Sequence, residues 1–253
     1  MENWFLPENL KEAETKVRAT EFGSLDPNSD FASYKIMLET GDINSSMISN
    51  HNDISPHEKI SIFKKHLEKK KLLNVPYTRI LNLGCGLGFE TKAIADVFDA
   101  ETLGIDIAID AIGFAKKKFE NERISFECLG VDENMRLDKK YDICFAIEFY
   151  PFSRTNNIDM HTQVIKAIFD NLSPNGILVI YQVWDNDHSI SSNIAAIEKR
   201  VNKKPYVSGY MHKKVNTRLG DNFISVMVLK LLRSVSILLG KTPVKPAKMV
   251  VFH

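Results

Sequence analysis

The chain has 253 residues, 44% of them hydrophobic and 26% charged, with 33 basic against 32 acidic side chains and a net charge of +1. That length suits one α/β domain with at most a small addition, and the apolar share is that of an ordinary globular protein. A balanced charge creates no field to attract a polyanion, so no nucleic-acid partner is expected.

Cys85, Cys128 and Cys144 are odd in number and lack metal-ligand spacing, so they read as buried free thiols in a reducing compartment. The opening stretch MENWFLPENLKEAE has no basic region before an apolar run. Nowhere does the chain approach the roughly 18 apolar residues of a membrane span. A cytoplasmic protein without a transmembrane segment is expected. Lysine outnumbers arginine 25 to 8, which hints at an AT-rich bacterial genome.

Residues 1–54 are polar and weakly patterned, with scattered aromatics at Trp4, Phe5, Phe22, Phe31 and Tyr34. They read as an N-terminal cap of short helices and loops, set before a main domain over 55–253. Ser55-Pro56-His57-Glu58 is a capping box with proline at the first helical position. Ile60, Phe63 and Leu67 follow at helical spacing and predict a helix over 56–71.

From residue 79 the pattern alternates. Strand-like runs at 79–83, 101–106, 124–129, 141–147 and 176–184 enclose helical runs at 91–98, 109–119 and 159–172. Such alternation predicts a parallel sheet covered on both faces, and the continuously apolar strands agree. Ser173-Pro174-Asn175-Gly176 reads as a turn into the fifth strand. A helix is expected over 189–199, a basic loop over 202–222, and an edge strand in the closing MVVFH. Residues 224–239 form an amphipathic helix with Ser225, Lys230, Arg233, Ser234 and Ser236 on its polar face. It would pack its apolar face on the sheet or meet a membrane surface.

The first strand runs into Gly84, Gly86 and Gly88. A dinucleotide fingerprint needs glycine or alanine three residues after its second glycine, where this chain has Phe89 or Thr91. The spacing G-x-G-x-G instead resembles the first motif of class I S-adenosylmethionine-dependent methyltransferases. The physical difference is that their methyl donor carries no phosphate. Its amino-acid tail lies along bare backbone, which three positions without side chains provide.

Further stretches extend the resemblance over about residues 75–185. LGIDIAIDAIGFAKKKF is similar to the family's second motif, with Asp106 placed to accept from both hydroxyls of a ribose. Gly130-Val131-Asp132-Glu133-Asn134 resembles the stretch whose acid meets the adenine amino group; Asp132 or Glu133 fills that place. YDICFAIEFYPF and NLSPNGILVI resemble the fourth and fifth strands. The resemblance implies a doubly wound, mostly parallel seven-stranded Rossmann-like sheet and S-adenosyl-L-methionine as cofactor. It places Asn82, Gly84, Cys85, Gly86, Gly88, Asp106, Ile107, Asp132, Glu133 and Glu148 at the donor. Asn82 departs from the family's pattern, which has an acid there to help hold the donor's ammonium group.

Ligands of open α/β sheets bind at the carboxyl ends of the strands. Glu148 and Tyr150 follow the fourth strand, His161 opens the next helix and His188 follows the fifth strand. These four are the catalytic candidates, as a proton acceptor or as an aromatic wall. His51, Asp53 and His57 are too loosely spaced for a metal site, and no metal is expected. Basic residues Lys199, Arg200, Lys203, Lys204, Lys213, Lys214 and Arg218 would frame the pocket with the cap. The expected reaction is methylation of a small polar acceptor. A hydroxyl of a sugar, nucleotide-linked or phosphorylated metabolite in capsule or natural-product biosynthesis is favoured. The alternatives are an RNA or protein methyltransferase and a non-catalytic donor-binding scaffold.

Overall fold

The computed structural model describes residues 55–73, 76–132, 134–154, 157–183, 190, 193–208, 223–239 and 247–253. The expected cap at 1–54, Glu133 and His188 lie outside them. Helix α1 (Pro56–Lys69) starts as its capping box requires: Glu58 N–H donates to Ser55 Oγ at 3.2 Å, and Ser55 N–H donates back to the Glu58 carboxylate at 3.3 Å. Then follow β1 (Arg79–Leu83), α2 (Phe89–Phe98), β2 (Glu101–Asp106), α3 (Ile109–Phe119), β3 (Ile124–Cys128) and β4 (Tyr141–Ile147). The rest comprises α4 (Tyr150–Arg154), α5 (Ile158–Asp170), β5 (Leu172–Val183), α6 (Ile194–Val201), β6 (Pro205–Val207), α7 (Phe223–Leu238) and β7 (Ala247–Phe252).

The strands form one sheet in the order β3-β2-β1-β4-β5-β7-β6. All neighbours are parallel except that β7 runs antiparallel to both β5 and β6. Alternate residues feed two cores. Leu81, Cys144, Leu178 and Val250 face α5 and α6, where Ile165, Ile168 and Ile197 pack. Ile80, Phe145, Val179 and Val251 face α1 and α2, where Phe63, Leu67, Ile94 and Phe98 pack. Burial on both faces explains why these strands are apolar at every position rather than at every second one.

Three expectations change. The closing strand is interior, because β7 inserts between β5 and β6, and the edge strand is Pro205–Val207, inside the stretch read as loop. The Ser173–Gly176 turn lies within β5, where Leu172 and Ile177 stand opposite Tyr141 and Ile143, so five steps of one strand face two of the other. Helix α7 does not pack its apolar stripe away: Leu229 is buried, but Ile224, Met227, Leu231, Leu232, Val235 and Leu238 are exposed.

The chain winds outward from β1 through β2 to β3, then returns to β4 on the other side of β1. Connections leaving β1 and β4 therefore diverge and open a crevice at the carboxyl ends of these strands.

Candidate active site

The loop after β1 crosses that crevice. Gly84, Gly86 and Gly88 have φ of +65°, +49° and +83°, the left-handed region in which a side chain is strained. Space enforces the choice as well. A Cβ on Gly84 would lie 2.9 Å from the Phe149 ring, and one on Gly88 would lie 2.8 Å from both Ala115 and Phe126. Backbone bonds hold the bend: Cys85 N–H donates to Ile105 O and Gly88 N–H to Cys85 O, both at 3.0 Å. The Cys85 side chain turns into the core, where burial holds its thiol protonated.

Asp106, at the end of β2, meets this loop directly. Its Oδ2 accepts from Gly86 N–H at 2.8 Å and its Oδ1 from Ala108 N–H at 2.9 Å. Burial raises its pKa, and the amides of Ala108, Gly86 and Ile107 oppose that rise. Each oxygen keeps a lone pair, so the carboxylate can still accept from two hydroxyls. Ile107 is half-buried beside it, its carbonyl facing the Cys128 thiol at 3.7 Å.

At the crevice, two buried oxygens lack hydrogen-bond partners. Asn82 Nδ2 donates to Thr91 Oγ1 at 2.9 Å, while Asn82 Oδ1 is unpaired. Asp132 Oδ1 accepts from Asn134 N–H at 2.7 Å, and its Oδ2 is unpaired. Leaving such atoms buried and unsatisfied costs about 1–3 kcal/mol each, a cost that a donor group from a ligand removes. These acceptors and the bare glycine backbone fit an ammonium group and an exocyclic amine, so the residues present suit the methyl donor.

Glu148 follows β4 with φ +51°, an unusual backbone angle for glutamate. Its N–H donates to Tyr181 O at 2.8 Å, and its own carbonyl accepts from Ser153 Oγ at 3.2 Å. Burial raises the pKa of the Tyr181 phenol, and the negative charges of Glu148 and Glu90 add to that rise, so these three groups share one neighbourhood. Tyr150 opens α4 and is half-buried.

His161 does not join them. Its ring is wholly buried beside Phe152, with Nε2 against the Pro151 carbonyl, and burial brings its pKa down to about 4. A ring without solvent contact on the α4–α5 packing side is a core residue and not a base at the crevice mouth. Reading along the sequence missed Phe149, Thr91 and Tyr181. Tyr181 was legible in principle, because Ile147 pairs with it in register and so places it beside Glu148. Among the described residues, no group of three or more histidine, cysteine or acidic side chains could hold a metal.

Comparison with known proteins agrees with this geometry. A family model described as a methyltransferase domain matches residues 74–219, more than half of the chain. The malonyl-[acyl-carrier protein] O-methyltransferase of Bacillus cereus is 30% identical over 124 residues, which are 49% of this chain and 42% of that protein. The same enzyme of Acetivibrio thermocellus is 40% identical over 68 residues, 26% of this chain and 24% of that one. The chain thus spans less than half the length of these curated relatives.

Among solved structures, the plantazolicin methyltransferase BpumL, in complex with a pentazolic desmethylPZN analog and SAH, superposes with a TM-score of 0.57 at 16% identity. That match covers 98% of this chain and 99% of BpumL. An S-adenosylmethionine-dependent methyltransferase from Clostridium acetobutylicum gives 0.57 at 12% identity, covering 86% and 98%. At such identities these two share the fold. With the family model, they establish that this chain belongs to the class I S-adenosylmethionine-dependent methyltransferases.

Proposed function

We propose that the enzyme methylates a hydroxyl oxygen of a small polar acceptor, with Glu148 receiving the proton. The observation that carries this reading is the carboxylate at the carboxyl end of β4, held on a left-handed backbone beside the Tyr181 phenol. A non-glycine residue kept at such an angle costs about 1–3 kcal/mol, and strain of this kind clusters at functional sites.

The donor supplies an electrophilic methyl group on sulfur. The chain does the rest. Its glycine loop and Asn82 Oδ1 would hold the amino-acid tail, Asp106 the ribose hydroxyls, and Asp132 Oδ2 the adenine amine. Ile107 lines the base. Tyr150 walls the mouth. Glu148 would take up the proton that the acceptor hydroxyl gives up on methylation, and the donor would leave as a neutral thioether that keeps the carbon–sulfur bonding pair.

The curated relatives favour a second reading, in which the oxygen belongs to a carboxyl group carried on a protein. Glu148 separates the two on physical grounds. A carboxylate acceptor is already ionised, needs no base and is repelled by a neighbouring carboxylate.

The test offers isotopically labelled donor with a panel of sugars, nucleotide sugars and a malonyl thioester on acyl carrier protein, using wild type and Glu148→Gln. Label on a hydroxyl, lost in the variant while donor affinity holds, supports the proposal. Label on the malonyl group, retained in the variant, establishes the second reading.

A further inference from the structure

We propose that α7 docks on an anionic lipid surface, lying in the plane of the interface with its outward apolar stripe among the acyl chains. Nine large apolar side chains are exposed among the described residues, and seven of them fall within 224–239. Apolar residues exposed singly are ordinary, whereas a contiguous patch marks a binding face. Ile224, Met227, Leu231, Val235 and Leu238 follow at steps of three and four and so share one side of the helix. Leu229, on another side, is buried and holds α7 to the protein.

Length decides how the helix meets lipid. Its 16 residues reach about 24 Å, short of the roughly 30 Å of hydrocarbon in a bilayer. No helix among the described residues is long and apolar enough to cross a membrane. An apolar helical face bordered by cations lies along the surface instead.

Charge selects the partner. Residues 223–253 hold Lys230, Arg233, Lys241, Lys245 and Lys248 and no acidic side chain. Lys230 is exposed and stands three residues from Met227, so it borders the stripe. There its stem can lie along apolar surface while its ammonium group meets lipid phosphates. Basic residues beside such a helix strengthen its hold on anionic lipid. A second copy of the chain would instead bring two wholly basic segments together.

The helix also lies near the crevice. The strand that follows it starts at Ala247, paired with Val183 at the carboxyl end of β5. Burial lowers the pKa of Lys248 in that strand, and the charge of Lys230 lowers it further, which places the middle of α7 close by. Docking would therefore bring the carboxyl edge of the sheet to the lipid, whichever acceptor the enzyme methylates.

The test is flotation of the full chain with vesicles of phosphatidylcholine alone and of an equimolar mixture with phosphatidylglycerol. It compares wild type with Leu231→Glu and Leu238→Glu, exposed positions where a charge disturbs lipid contact without entering the core. Wild type should float with the anionic vesicles, and either variant should bind them at least about tenfold more weakly. Lys230→Glu, which leaves the stripe whole, should weaken binding to the anionic vesicles by about tenfold and leave that to phosphatidylcholine alone unchanged. Affinity for S-adenosylhomocysteine, read by calorimetry, should be the same in all four proteins. Three outcomes would overturn the proposal. Wild type could fail to bind anionic vesicles, or bind both kinds equally. The variants could bind them as tightly as wild type, which would place the contact elsewhere. Or wild type could sediment as a dimer that the leucine variants dissociate, without binding vesicles, which would make the stripe a contact between copies.

Discussion

The amide of Gly86 donates to Oδ2 of Asp106 at 2.8 Å, joining the loop after β1 to the end of β2. One carboxylate thereby fixes the bend of the glycine loop and presents its remaining lone pairs toward the crevice. The bend of the glycine loop and the carboxylate proposed for the ribose are coupled through this bond.

Replacing Asp106 with alanine should weaken donor binding by roughly 1–3 kcal/mol, read by calorimetric titration with S-adenosylmethionine. The pH dependence has a definite sign. Burial raises the folded-state pKa above its ordinary 3.8, so the folded state holds this proton more tightly than the unfolded chain. The contribution of Asp106 to stability is therefore present below 3.8 and is lost as pH rises through the raised value. Donor binding needs the ionised oxygens and should strengthen across the same window. Asp106→Ala should abolish both trends; a donor affinity equal to wild type would remove Asp106 from the ribose site.

The glycine loop makes a graded prediction. Alanine at Gly88 meets Ala115 and Phe126, both buried, and adopts a left-handed angle, so Gly88→Ala should cost roughly 2–4 kcal/mol in urea unfolding. Alanine at Gly84 meets only the half-buried Phe149 ring, which can move. Gly84→Ala should cost about 1 kcal/mol in stability, and its larger effect should fall on donor affinity. The reverse ranking would mean that the loop does not pack as described.

Much of this was legible along the chain because it is local. Residues 79–83, 101–106 and 141–147 each form one strand at the predicted bounds, since continuous apolar runs between turns leave few other solutions. The glycine spacing and Asp106 also read directly, because both motifs are short segments at strand ends. What stayed hidden depends on register between distant segments. Nothing near residue 247 states that β7 enters between β5 and β6, since that place is set by pairing of Val183 with Ala247. His161 looked accessible because a helix start near the site places the residue but not the direction of its ring. Phe149 escaped notice because its partner Gly84 is 65 positions away and has no side chain to signal the contact.

Asn82 offers a gain-of-function test. Its unpaired Oδ1 is an acceptor without charge, where relatives with an acid would meet the donor's ammonium group by charge. Asn82→Asp should tighten S-adenosylmethionine binding by about 1–2 kcal/mol, because hydrogen bonds between ionised partners are roughly twice as strong as neutral ones. Thr91 can rotate its hydroxyl to donate to the new carboxylate. Without donor the variant should be less stable, since it buries an unpaired charge at a position that is almost fully enclosed. Tighter binding with lower ligand-free stability places the ammonium group at Asn82; unchanged affinity puts it elsewhere.

His161 yields the last prediction, and its sign runs opposite to that of Asp106. Burial lowers its pKa from 6.5 to about 4, so the folded state holds the neutral ring and the unfolded chain takes up the proton first. The stability it contributes is present above pH 6.5 and is lost progressively as pH falls from 6.5 to about 4. The full shift corresponds to about 3 kcal/mol. In urea unfolding, wild type should therefore lose more stability between pH 7 and pH 4.5 than His161→Gln, whose side chain can still donate to the Pro151 carbonyl without titrating. At pH 7, where the ring is neutral in both states, the variant should keep its turnover once corrected for any unfolded fraction. A catalytic His161 would show the reverse, with little change in acid stability and a large loss of turnover at pH 7.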